Sequence, residues 1–225
     1  MKSLALLGAL ALVSSSASAG FTGWSVERST TTEGNIAYKV YANVDAGNFV
    51  ALNVYNFQTV SGAPMNARHQ DAAETAAGDP SQSWSANSNR SATPSAGLGR
   101  NDDSWVTISG NSTAGGNDTV LDPSFVPSDA SYIPYNAGWF DFTAGAPNPI
   151  LAGGTQGGYR MLIMQIVRAG GVQDLESTFT CVLGYKASST TTALAGSGNF
   201  TIGLPTPGAL ALLGLAGLTG RRRRA

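Results

Sequence analysis

Ten residues, Ser177 to Lys186 (STFTCVLGYK), alternate without a break. Phe179, Cys181, Leu183 and Tyr185 fall on one side, and Thr178, Thr180, Val182 and Gly184 on the other. A period of two puts successive side chains on opposite faces of an extended strand, which no helix reproduces. The stretch before it, Tyr159 to Arg168 (YRMLIMQIVR), stands between Gly157-Gly158 and Gly170-Gly171. Ten apolar-rich residues between glycine pairs fit a strand buried on both faces better than a helix. The two are expected to pair as a hairpin, central in a sheet.

The same period appears earlier. In Ile36 to Val44, Ile36, Tyr38, Val40 and Val44 share one face, opposite Lys39 and Asn43. Asp45-Ala46-Gly47-Asn48 offers a turn, and Phe49 to Gln58 resumes the alternation through Val50, Leu52 and Val54. Two such runs around a short Asp/Gly/Asn loop read as an antiparallel hairpin. Shorter strands are expected at Trp105 to Ile108, Gly138 to Phe142 and Asn199 to Ile202. Between Gly62 and Asn101 the pattern gives way to Ala, Ser, Asn, Pro and Gly, the composition of a long surface loop. Within it Asp71 to Ala77 suits a helical turn or two, stopped by Gly78-Asp79-Pro80. With 28 glycines and turn residues throughout, the expectation is an all-β chain: an antiparallel β-sandwich, jelly-roll-like, over residues 20–203, followed by a terminal apolar helix.

Both ends carry targeting patterns. Lys2, the apolar run Leu4 to Val13 and Ala17-Ser18-Ala19 have the form of a signal peptide over residues 1–19, cut between Ala19 and Gly20. At the other end, residues 204–225 hold Pro205-Thr206-Pro207, an apolar run from Gly208 to Gly220, and Arg221, Arg222, Arg223 and Arg224. The run is shorter than the roughly 20 residues of a comfortable span. Extended to Leu204, and with arginine stems snorkelling, it just reaches across, the basic cluster staying on the cytoplasmic side.

This tail resembles the PEP-CTERM sorting signal in its proline-flanked motif, short Gly/Ala/Leu-rich helix and terminal arginines. Pro205 and Pro207 match the motif prolines, and Thr206 stands where the family has Glu. The resemblance implies a precursor held transiently in the membrane and an exosortase-type protease that cuts near the motif. It also implies a cell-surface or extracellular destination, often with exopolysaccharide. Leu204-Pro205-Thr206-Pro207-Gly208 is a poor sortase signal, because Pro207 holds the position before the glycine that a sortase needs as Thr.

Without Lys2 and the tail arginines, eight basic residues face 14 acidic ones, a net charge of −6. A chain so charged offers no basic patch to displace counterions from nucleic acid. Cys181 is the sole cysteine, so no intramolecular disulfide forms, and its alternation with Phe179 and Leu183 points its thiol inward. His69, the sole histidine, reads as a solvated loop residue, and no Gly-x-Ser-x-Gly accompanies it. Asp102 with Asp103, and Asn117 with Asp118 and Asp122, each resemble half of a loop calcium site; without EF-hand spacing, turn roles are favoured and no metal is expected. Glycosidase chemistry needs two carboxylates across a cleft. Asp102, Asp103 and Asp141 are the candidates, again with turn or strand-edge roles favoured.

Trp24, Trp84, Trp105, Trp139, Tyr132 and Tyr135 flank loops rather than long apolar runs. Trp105 and Trp139 are expected in the core. Trp84 and Tyr132 are the candidate ligand-facing aromatics, since exposed rings stack on the flat faces of sugars. The expected function is that of an exported, non-catalytic surface or matrix protein. A polysaccharide-binding module is the alternative and a secreted hydrolase the third reading.

Overall fold

The structure is a computed structural model describing residues 20–31, 34–45, 49–67, 84, 103–108, 119–125, 132–141, 151–152, 158–169, 174–188 and 190–204. In chain order its strands are β1 (Phe21–Thr30), β2 (Ile36–Val44), β3 (Val50–Gly62), β4 (Trp105–Val106), β5 (Thr119–Leu121), β6 (Trp139–Asp141), β7 (Leu151–Ala152), β8 (Tyr159–Arg168), β9 (Ser177–Lys186) and β10 (Ala193–Ile202). They form two antiparallel sheets, and no helix occurs among the described residues. The first sheet runs β1-β2-β8-β4, with β7 also on β8; the second runs β10-β9-β3-β6-β5. The segments expected as a signal peptide, a sorting motif and a terminal apolar helix, including Ala19, Pro205, Thr206, Pro207 and Arg221 to Arg224, lie outside the described residues, as do Asp71 to Ala77.

One core lies between the sheets. Tyr38, Val40, Ala42 and Val44 of β2 and Met161, Ile163, Met164 and Ile166 of β8 meet Val54 and Phe57 of β3 and Phe179, Cys181 and Leu183 of β9. The inward side of β9 is the one its alternation singles out. Trp105 and Trp139, 1% and 0% exposed, are core residues as expected.

The expected hairpins are not formed. β2 pairs with β1 and β8, whereas β3 pairs with β9 and β6; β8 and β9 likewise belong to opposite sheets. Each strand does lie centrally, but its apolar face meets the other's across the core rather than edge to edge. Phe49, fully buried, stands where the chain crosses and stacks on Tyr185 at 4.7 Å. Among the long strands the hairpins are β1–β2 and β9–β10, paired Thr30 to Ile36 and Lys186 to Ala193 at their turns, and the short β7 pairs with β8, Ala152 to Tyr159. Ser188 and Thr191 close the second turn by bonding each other's backbone.

The outer side of the first sheet is charged. Arg160 lies over the Tyr41 ring at 4.3 Å and bonds Glu27. Partial burial opposes ionisation of Glu27, yet the Arg160 and Tyr41 hydrogen bonds hold its carboxyl below the ordinary range. Burial, with the Glu27 carboxylate beside it, pushes the Tyr41 phenol up to about 12.

Arg168 ties the two sheets together. Its side chain is almost wholly buried. Nε donates to Met65 O at 2.9 Å, Nη1 to Leu175 O at 2.6 Å and to Asp174 Oδ1 at 3.2 Å, and Nη2 to Ser177 Oγ at 3.0 Å. Ser177 Oγ in turn donates a hydrogen bond to Ala63 O at 2.8 Å. Asp174 also accepts from the Tyr38 hydroxyl and from Arg28 Nε at 3.1 Å. The chain after β10 returns to this cluster: Leu204 N–H donates to Asp174 O at 2.7 Å, and Leu204 pairs in parallel with Leu175. Gly203 makes that close approach with φ of 91°, and a Cβ there would overlap the Leu175 carbonyl.

Candidate functional site

The site forms where β3 departs from regular pairing. Tyr55 stands opposite Val182 and Gln58 opposite Thr180, so the two residues between them form a bulge. Asn56 takes φ of 55°, which turns Phe57 inward onto Phe179 at a ring distance of 5.4 Å. The freed backbone of Phe57 docks a second segment: its N–H donates to Ala137 O at 3.2 Å, and its carbonyl accepts from Asn136 N–H at 2.8 Å. That segment is a four-residue turn closed by Ala137 N–H to Pro134 O at 3.1 Å. Asn136, third in the turn, has φ of 61°, a position that favours Gly or Asn. Gln58 Nε2 fastens bulge to turn, donating to Asn56 Oδ1 at 2.8 Å and Asn136 Oδ1 at 3.0 Å.

Beside this junction lies a pocket of about 260 Å³. Phe57, Met65 and Ile133, all buried, form its floor, and Thr59, Asn66, Pro64, Tyr132 and Tyr135 its walls. Tyr132 and Tyr135 are 55% and 68% exposed, so their ring faces are open to a ligand. Asn56, Asn66 and Asn136 are the non-glycine residues with positive φ among those described, and all three border this site. Positive φ costs least for Asn, and such conformations gather where a surface must be held in a set shape. The volume falls just under the roughly 300 Å³ at which small-molecule pockets begin, so the pocket suits one ring of a larger ligand rather than a whole cofactor.

Among the described residues of the lining there is no carboxylate, imidazole, amine or thiol. It offers two aromatic faces, an apolar floor, and amide and hydroxyl groups at the rim. That combination suits an uncharged ligand with one flat apolar face and many hydroxyls.

Of the two aromatics expected to face a ligand, Tyr132 is at the pocket and Trp84 is not. Trp84 is 2% exposed within the core, and its carbonyl accepts from Val106 N–H at 2.7 Å alongside β4. A large ring isolated in a polar stretch gains more by burial than by facing water. Trp24 is half-buried and donates from Nε1 to Gly198 O at 3.0 Å. Tyr135, grouped with the loop aromatics but not singled out from sequence, is the most exposed of the large hydrophobic side chains described.

Two of the carboxylates considered for calcium or hydrolysis, Asp103 and Asp122, serve structure. Asp103 is buried, its Oδ1 accepting from Ser104 N–H at 2.8 Å and its carbonyl from Gln165 Nε2 at 2.9 Å. Asp122 closes a turn through Ser124 N–H at 2.8 Å and the Ser124 hydroxyl. Asp141 ends β6. Asp102, Asn117, Asp118 and His69 lie outside the described residues. Among those described, no three His, Cys, Asp or Glu side chains gather as a metal site.

Cys181 is fully buried, and burial pushes its thiol well up. A disulfide reagent at neutral pH is expected to leave the folded protein untouched and to label it rapidly in urea. Stoichiometric labelling without denaturant, read by mass spectrometry, would contradict that placement.

The chain matches no protein-family model, no curated protein and no solved structure.

Proposed function

We propose that this chain is an exported, non-catalytic surface or matrix protein whose pocket holds a segment of neutral polysaccharide. Its two sheets are read as a jelly-roll-like β-sandwich, with residues 208–220 as the apolar helix of a sorting tail cut by an exosortase-type protease. The observation that carries the glycan reading is the pairing of exposed Tyr132 and Tyr135 with an uncharged amide rim. The export reading draws support from the two ends of the domain. Gly20 N–H donates to Asp45 Oδ1, so the free amine left by cleavage after Ala19 would gain an ion pair. At the other end, Leu204 is held to Asp174 just before Pro205.

Protein isolated from the producing cells should be retained on their own matrix polysaccharide. Tyr135→Ala should bind about tenfold more weakly, the loss of one stacking contact of roughly 1.4 kcal/mol, with the thermal midpoint unchanged because the side chain is exposed. Equal retention of wild type and variant would refute the pocket as the binding site. Mass-spectrometric termini at Gly20 and near Pro205 to Pro207 are expected, and an intact C-terminus at Ala225 would sink the processing step.

A further inference from the structure

The second sheet's outer face continues from the pocket and is unlike the charged face opposite. Gln58, which ties the pocket's turn to β3, points outward beside Thr180, and Tyr55, 40% exposed, follows it on the same side opposite Val182. Next come Asn53, Phe140 of β6, which pairs with it, and Val120 of β5, which pairs with Phe140. Phe140 and Val120 are each 39% exposed. Two glycines keep this path open. A Cβ on Gly138 would come within 3.3 Å of Tyr55 Cβ, and one on Gly184 would overlap the Asn53 amide that lies across it. Threonines 178, 180 and 201 add hydroxyls at the other side of the face. Of its described charges, Lys186 stands at the end of β9, while the Asp122 carboxylate leans over Gly138, 3.1 Å from where a Cβ would sit, and so borders the path beside Tyr55.

We infer that the pocket is one end of a longer track running over Gln58 and Tyr55 to Phe140, and that its occupant is a linear, uncharged glycan several rings long. The inference rests on the glycan reading of the pocket. Gln58 and Tyr55 stand opposite residues two apart on β9, about 7 Å along the sheet, and from β3 to β5 is about 10 Å across two strand spacings. That distance exceeds one sugar ring. The Asp122 carboxylate beside Tyr55, with no described cation nearer the path than Lys186 at the end of β9, selects against an anionic polymer, whose carboxylates would be repelled and left desolvated there. Aromatic platforms at Tyr135, Tyr55 and Phe140 alternate with amides at Asn136, Gln58 and Asn53, which matches a chain of rings presenting hydroxyls between flat faces.

The test uses protein from the producing cells and their matrix polysaccharide, partially hydrolysed and separated into neutral and anionic, short and long fractions. Affinity for the neutral fractions should rise with chain length. Tyr55→Thr and Phe140→Thr, which keep strand propensity, should each weaken the longest neutral fraction about tenfold and leave the shortest unchanged. Tyr135→Ala should weaken both. If Tyr135→Ala weakens binding while Tyr55→Thr and Phe140→Thr do nothing, the track is wrong and the pocket reading survives. If no fraction binds, both fall. Preference for the anionic fractions, or a drop in oligomeric state by sedimentation for Tyr55→Thr with glycan binding unchanged, would overturn the inference, the latter giving this face to a second copy.

Discussion

Arg168→Met should lower the free energy of unfolding by about 3–5 kcal/mol, the usual cost of removing one partner from a buried, hydrogen-bonded ion pair. Domains of this size are stable by only about 5–15 kcal/mol, so the variant should lie close to unfolding at growth temperature. The cost comes from what stays behind. Met65 and Leu175 would keep buried carbonyls, and Asp174 its carboxylate, with the Arg168 donors gone. Arg168→Lys should recover little, since one ammonium cannot reach the carbonyl, carboxylate and hydroxyl partners of the planar guanidinium at once. Urea titration followed by tryptophan fluorescence reads both. A loss under about 1 kcal/mol for Arg168→Met would show that Arg28 and Tyr38 suffice to hold Asp174.

Trp139→Ala is the second large effect expected, about 3–5 kcal/mol for deleting a buried aromatic side chain. Trp139 is 0% exposed; its ring stands 6.5 Å from Phe57 and 6.3 Å from Phe125, and its Nε1 donates to Thr107 O at 2.9 Å. Trp139→Phe separates the two contributions. It keeps most of the volume and loses the hydrogen bond, and should cost about 1–3 kcal/mol through the orphaned carbonyl. Because Phe57 is also the pocket floor, Trp139→Ala should loosen glycan binding as well as stability. A thermal midpoint within about 3 °C of wild type would contradict the packing argument.

Strands β2, β8 and β9 are legible in the sequence from end to end, β2 and β9 by their period of two and β8 as a continuous apolar run between glycine pairs. β1 and β10 are edge strands with little buried surface. In β10 only Phe200 and Ile202 are buried, so the alternation shows only over its last residues, and Ala193 to Gly198 reads as loop. Partner choice was misread for a related reason. A period of two tells which side of a strand is buried but not whether the next strand lies beside it or across the core. At the pocket, Tyr132 could be picked out as an aromatic next to a loop, and Trp84 by the same rule was placed wrongly. The roles of Asn56, Asn66 and Asn136 rest on backbone angles that a sequence does not display. Pro134-Tyr135-Asn136 did carry a signal, a turn with Asn where φ must be positive.

The placement of Arg168 has a mechanical consequence. Its guanidinium holds the carbonyl of Met65 in the pocket floor and, on its other side, Leu175 and Asp174, to which Leu204 is fastened. Were the domain held by its C-terminus and bound to a polymer at its pocket, as proposed, tension between the two would have a short load path through these side-chain bonds. The β-ladders of the two sheets lie beside that path rather than in series with it, so shear on the attached polymer would be borne first by one arginine and its partners.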